Sequence, residues 1–207
     1  MQSELISILV PFKNTSKFID ECVESILAQT HTNWELLIVN DHSSDTSYNQ
    51  VLAYAEKDKR IKLFQNEDHG IIPALRKAYF ESTGNFITRM DSDDLMHPKK
   101  LELMLKDLKT HGNKHVALGQ VSYFSDDGIG QGYKAYENWL NSLTKNGTNY
   151  NDIYKECVIP SPCWMMRKND LDLCQAFNPN SYPEDYDLTF RFYENKMRCI
   201  PSNHVLH

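Results

Sequence analysis

No apolar run in the sequence approaches the roughly 20 residues that a membrane-spanning helix needs. The first residues, MQSELISILVPF, also lack the basic n-region and small-residue cleavage site of a secretory signal. A cytoplasmic protein without a transmembrane segment is therefore expected, with membrane contact at most peripheral. Positive charge is not in excess: 22 Lys plus Arg stand against 28 Asp plus Glu, a net charge of −6. This argues against electrostatic binding to nucleic acid, and an anionic substrate has to be met by a local cation. The five cysteines are odd in number and form no CxxC pair, which fits reduced thiols better than a disulfide framework or a zinc cluster. His111 and His115 stand four apart, but Gly112 between them breaks the helix a zinc pair would require. There is no GxGxxG after the first strand and no GxxxxGK[ST], so the usual dinucleotide and phosphate cradles are missing. The GIGQG run at 128–132 follows no strand and reads as flexible loop. Internal repeats and low-complexity segments are absent as well.

What is present is an ordinary globular composition, 41% hydrophobic and 24% charged, in a length of 207 residues that favours one domain. Residues 5–12 are nearly continuous apolar, as in a strand buried on both faces. Ile19, Cys22, Val23, Ile26 and Leu27 then mark one face of a helix. Strands follow at 34–40, 61–65 and 86–90, separated by helices ending near 56 and 82. Pro98 opens a helix whose buried face is Leu101, Met104, Leu105 and Leu108, and a strand is expected at 116–124. This βαβα order predicts an α/β fold: a mostly parallel central sheet with helices on both faces and a Rossmann-like nucleotide-binding half. The pattern loosens over 125–160, which carries Tyr133, Tyr136, Trp139, Leu140 and Leu143 and reads as an insertion or mobile loop. A last helix is expected at 184–196, followed by an extended stretch.

Ligands of open α/β sheets bind beyond the carboxyl ends of the strands. In this chain those positions are acidic: Asp41 and Asp45 after the second strand, then Asp91, Asp93 and Asp94 after the fourth. Gathered at one sheet edge these carboxylates repel one another unless a cation balances them, and their oxygens suit Mg²⁺ or Mn²⁺. The plainer alternative is a solvated acidic turn that complements the dipole of the Pro98 helix. Asp185 is open to the same two readings. It can be a first-turn acid beside an Asp187–Arg191 pair, or a general base held at a helix N-terminus next to a cleft.

Five segments then fall in a familiar order: Val10-Pro11-Phe12-Lys13-Asn14, Asn40-Asp41-His42-Ser43-Ser44-Asp45, Gly70-Ile71-Ile72-Pro73-Ala74-Leu75, Arg89-Met90-Asp91-Ser92-Asp93-Asp94, and Pro183 through Arg191. Over nearly the whole chain this resembles a family 2 glycosyltransferase with the GT-A fold. The resemblance implies an inverting transfer of sugar from a nucleotide-diphosphate sugar, UDP-linked, to a carbohydrate or lipid-linked acceptor in cell-surface polysaccharide assembly, with Mn²⁺ or Mg²⁺. It implies Pro11 and Asp41 at the base, Asp91 at ribose or sugar hydroxyls, Asp93 on the metal and Asp185 as the base that deprotonates the acceptor. Arg76, where the family often has Asn, is expected to meet the diphosphate, and Lys13 stands where many relatives have Tyr. His204 or His207 is a candidate to complete the metal shell. The single domain 1–207 is then expected to divide into a nucleotide-sugar-binding half, about 1–110, and an acceptor-binding half, about 111–207, with 125–160 mobile. Two other functions stay in view, a sugar-1-phosphate nucleotidyltransferase and a non-catalytic nucleotide-binding module. The first lacks its Gly-rich basic loop after strand one, and the second has no need of both Asp93 and Asp185.

Overall fold

The computed structural model describes residues 4–125, 128–179 and 182–207. In chain order its elements are β1 (Ile6–Phe12), α1 (Ile19–Leu27), β2 (Trp34–Asn40), α2 (Ser47–Ala55), β3 (Ile61–Gln65), α3 (Ile71–Glu81) and β4 (Phe86–Arg89). There follow α4 (Lys100–His111), β5 (His115–Leu118), α5 (Gln131–Asn146), β6 (Trp164–Arg167), α6 (Lys168–Leu173), α7 (Glu184–Glu194) and β7 (Arg198–Ile200). One seven-stranded sheet runs in the order β3-β2-β1-β4-β6-β5-β7. Its first four strands are mutually parallel. β6 is antiparallel to both β4 and β5, while β7 returns parallel to β5.

The apolar runs of β1 and β2 are buried throughout because helices cover both faces of the sheet. Ile6, Ile8, Val10, Leu36 and Ile38 pack with the apolar faces of α1 and α4. The alternate residues Leu9, Leu37 and Val39 pack on the other face with Ala74 and Leu75 of α3, in the core that also takes Leu188 and Phe192 of α7. Each fully buried side chain of this size contributes about 1.5–3 kcal/mol relative to exposure.

A charged knot fixes the strands at their amino ends. Glu35 of β2 accepts from Ser7 Oγ at 2.7 Å, Thr83 N at 2.6 Å, Thr83 Oγ1 at 2.9 Å and Lys62 Nζ at 2.7 Å. Burial opposes the Glu35 charge, but the bonds from Lys62, Ser7 and Thr83 hold its carboxyl at about 2. Gly84 passes so close that a Cβ would lie 2.7 Å from Ser7 Oγ and 2.8 Å from Leu5 O, which is why the chain has glycine there.

Several expectations change. The strand expected at 116–124 ends at Leu118, after which the chain pairs by single bonds with the last residues: Gln120 N–H with His204 O, and Ser122 N–H with His207 O. Within 125–160 the described residues include α5, 16 residues long, packing Leu140 with Val121 and Cys163. β6 and α6 were not anticipated at all.

Candidate active site

The parallel strands deliver Lys13, Asp41 and Asp91 to one edge of the sheet, as open α/β architecture requires. Pro11, Phe12, Lys13, Thr15, Asp41, Ile71, Asp91, Ser92 and Asp93 line one groove there, about 300 Å³ in volume. Asp41 is buried and held firmly. Its Oδ1 accepts from Asn66 Nδ2 at 2.8 Å and Gly70 N at 2.9 Å, and its Oδ2 faces Lys13 Nζ at 3.3 Å. Gly70 caps α3 at φ +104, a left-handed conformation that presents its N–H to Asp41 and that other residues rarely adopt. Burial works against the Asp41 charge, yet the Gly70, Asn66 and Lys13 donors keep the carboxyl below its usual value.

The acidic loop after β4 is organised by one buried arginine. Arg89, 3% exposed, donates to Asp91 Oδ1 from Nε at 3.1 Å and Nη2 at 2.9 Å, and to Glu184 Oε1 from Nη1 at 2.8 Å. Asp93 is exposed and lines both the first groove and a wider one of about 640 Å³ shared with Phe18, Asp94 and Phe124. Burial, and then the charges of Asp91 and Asp93, push Asp94 up to about 6. Carboxylate oxygens of this loop are the donor type a hard divalent cation takes, although the side chains of Asp91, Asp93 and Asp94 do not all converge within 4.8 Å of one another.

A second groove of about 300 Å³ is lined by Asp91, Asp94, Tyr123, Tyr136, Asp185 and His207, among others. Asp91 therefore lies on both grooves, and Asp185, carried by the first turn of α7, faces the same space as the acidic loop. Asp185 Oδ1 accepts from Tyr186 N at 2.8 Å, while the pairing of Asp187 with Arg191 is present as expected at 2.6 Å. Glu184, the residue before Asp185, is buried and taken by Arg89, so its carboxylate is not open to an acceptor.

Two expected participants sit differently. Arg76 lines a separate groove with Tyr79, Phe80, Lys168 and Phe177 and donates to Phe177 O at 2.8 Å; it is not brought to the groove of Asp41, Asp91 and Asp93. His204 is exposed. His207 does line the Asp185 groove, but its ring is engaged by Leu95 O at 3.2 Å, by Lys100 Nζ at 2.7 Å and by Pro162 O. Lys100 is fully buried and also donates to Pro162 O at 2.5 Å; burial pulls its ammonium down to about 7. Among the described residues, three metal-competent side chains converge within 4.8 Å only at Asp41, His42 and His69. That group lies at the Asp41 end of the first groove, where Asp41 is already bonded by Asn66, Gly70 and Lys13 and His42 Nε2 lies 2.9 Å from Asp68 O.

The sequence reading missed Arg89 and Lys100. The signal was available for Arg89, a charge inside the apolar strand Phe86-Ile87-Thr88-Arg89-Met90, since a buried cation there demands carboxylate partners. Lys100 gave none, because it falls in the polar first turn of α4.

A mixed sheet with a parallel nucleotide-type half and acidic residues clustered at its carboxyl edge is the GT-A architecture of glycosyltransferases, and solved structures of that kind share it. Staphylococcus aureus TarS in complex with UDP superposes with a TM-score of 0.74 at 23% identity, over 96% of this chain and 58% of that one. The mannosyltransferase PcManGT from Pyrobaculum calidifontis, in complex with GDP-Man and Mn²⁺, gives 0.75 at 18% identity over 98% and 56%. The chain belongs to glycosyl transferase family 2, whose model matches residues 7–173. It is 31% identical to Escherichia coli WfgD, a UDP-Glc:alpha-D-GlcNAc-diphosphoundecaprenol beta-1,3-glucosyltransferase, over 91% of this chain and 69% of that protein. It is also 29% identical to an uncharacterized glycosyltransferase of Rickettsia bellii over 87% of this chain. The chain spans 24% of that relative's length and 62% of a Haemophilus influenzae one. No helix among the described residues is long and apolar enough to cross a membrane.

Proposed function

We propose that this domain transfers a sugar from a UDP-linked donor to a carbohydrate or lipid-linked acceptor with inversion, in the assembly of a cell-surface polysaccharide. The observation that carries this reading is the position of Asp91 on both grooves, which sets the pocket of Asp41 against the pocket of Asp185 with the acidic loop between them. The UDP held by TarS and the lipid-diphosphate acceptor named for WfgD support the choice of substrate classes.

In this mechanism the base of the donor lies in the Pro11–Asp41 pocket, where Oδ2, carrying only the long Lys13 contact, accepts the imide N–H of uracil. Asp91, held by Arg89, takes ribose or sugar hydroxyls. Asp93 would hold Mn²⁺ or Mg²⁺, and the bound ion would supply positive charge to offset that of the departing diphosphate. Lys13, beside Asp41, rather than Arg76, is the cation within this groove. Asp185 accepts the acceptor's hydroxyl proton as its oxygen attacks the anomeric carbon from the side opposite the diphosphate. Residues 1–110 thus supply the donor site, while 111–207 supply the base and the wall of the acceptor groove.

A thermal-shift screen of UDP, dTDP, GDP and CDP with and without Mn²⁺ tests the site directly. A ligand at 100 times its Kd stabilises the native state by about 2.7 kcal/mol. The expected result is metal-dependent stabilisation by UDP, followed by turnover of a UDP-sugar to a product of inverted anomeric configuration by NMR. Stabilisation by no nucleotide, retained configuration, or joining of UTP to a sugar-1-phosphate would each overturn the reading.

A further inference from the structure

Arg89 occupies a place that stability alone does not explain. Its guanidinium is buried among α7 and the loop after β4, and its Nε, Nη1 and Nη2 donate to two carboxylates, Asp91 and Glu184, that stand 2 and 95 residues away along the chain. Replacing such buried ion clusters by apolar side chains is often neutral or stabilising, so the arrangement points to a task other than holding the fold. The forked donor geometry is the particular capacity of arginine: one planar group grips two acids at fixed angles, which a lysine on its flexible stem does not do.

The two acids come from two different elements that border the site, the loop after β4 and α7. Asp91 lines both grooves, and Glu184 opens α7, whose next residue is Asp185. Fixing Glu184 fixes the start of the helix and with it the direction in which the Asp185 carboxylate leaves the backbone. A positional error of about 1 Å in a reacting group costs on the order of a hundredfold in rate. We propose that Arg89 is a positioning residue that registers the donor-binding Asp91 against the base Asp185 through Glu184, so that donor and acceptor sites keep one relative geometry. This rests on the roles given to Asp91 and Asp185 above.

The test uses Arg89→Lys, Glu184→Met and the double variant of the full chain, with UDP and Mn²⁺ as the binding probe. Arg89→Lys is expected to weaken UDP binding about tenfold and to lower kcat on the order of 10- to 100-fold. Glu184→Met is expected to lower kcat by a similar factor while leaving UDP affinity within about twofold, because Arg89 still holds Asp91. The double variant should show a kcat within about threefold of Arg89→Lys alone, since both changes cut the same link. Glu184→Gln, which keeps an oxygen for Arg89 Nη1, should recover most of the loss. Hydrogen exchange gives a readout independent of turnover: the amide of Asp187, which bonds Pro183 O, should exchange faster in Glu184→Met than in the wild type. A purely structural role predicts lowered Tm with kcat and UDP affinity unchanged, and that result overturns the proposal. Should Arg89→Lys fold poorly, the Glu184 pair of variants decides alone. If the wild type turns over no donor, the transfer reading fails, whereas UDP affinity in Arg89→Lys and Asp187 exchange still judge the coupling.

Discussion

Asp41→Asn is the most informative single change at the proposed donor site, because the structure dictates which way the new amide must point. Asn66 Nδ2 and Gly70 N both donate to Asp41 Oδ1, at 2.8 and 2.9 Å. The amide oxygen of the asparagine therefore takes the Oδ1 position, and its NH₂ replaces Oδ2, the atom that faces Lys13 Nζ at 3.3 Å. Lys13 is half-exposed at 52% and can turn its ammonium to water, so the fold should survive. For the nucleotide the change is a reversal of polarity. Uracil offers an N3–H donor that loses its acceptor, while cytosine offers an N3 lone pair that gains a donor. A hydrogen bond to a charged group contributes about 1.5–3 kcal/mol, and leaving its partner unsatisfied costs as much. At about 1.4 kcal/mol per factor of ten, UDP affinity should fall roughly 10- to 150-fold and CDP affinity should rise. Titration calorimetry of both nucleotides with Mn²⁺ gives the ratio, and thermal melting checks the fold. A variant of native stability that binds UDP and CDP in the wild-type ratio would refute the placement of the base against Asp41.

Asp93→Ala should abolish Mn²⁺-dependent UDP binding in calorimetry with an unchanged Tm, since the residue is exposed on a loop; metal-dependent binding of native strength would remove Asp93 from the site. Asp185→Asn should leave UDP affinity intact and lower kcat 10²- to 10⁴-fold, the usual share of general-base catalysis, against only about 0.3–1 kcal/mol of stability if it were a mere first-turn acid. Normal turnover in that variant would retire the base assignment. Glu35 offers a pH test: its carboxyl lies at about 2 in the native protein and near 4.5 when unfolded, so its contribution is present in full above pH 4.5 and is lost as pH falls toward 2. Urea unfolding should show Glu35→Gln destabilised at pH 7 by up to about 3 kcal/mol, with the gap to wild type closing in acid; a gap constant with pH would contradict this.

Local periodicity determined the parallel part of the sheet, β1 to β4, almost by itself. The fully buried runs of β1 and β2 and the i, i+3, i+4 face of α1 are short-range patterns, and they read correctly because each is complete within a few neighbouring residues. The acidic ends of β2 and β4 were legible for the same reason: in parallel strands, the residues just after each strand necessarily gather at one edge. What tertiary structure alone decided lies in pairings remote in sequence. β6 slots antiparallel between β4 and β5, and its four residues carry too little pattern to announce a strand. Arg76 follows Leu75 on α3, and whether its guanidinium turns to the groove of Asp41 or to Phe177 O depended on a loop 101 residues away. Glu184 and Asp185 read alike as first-turn acids. They differ because the rotation of α7 against β4 buries one carboxylate on Arg89 and turns the other to the groove, a choice made by packing across the sheet and not by either residue's neighbours in the chain.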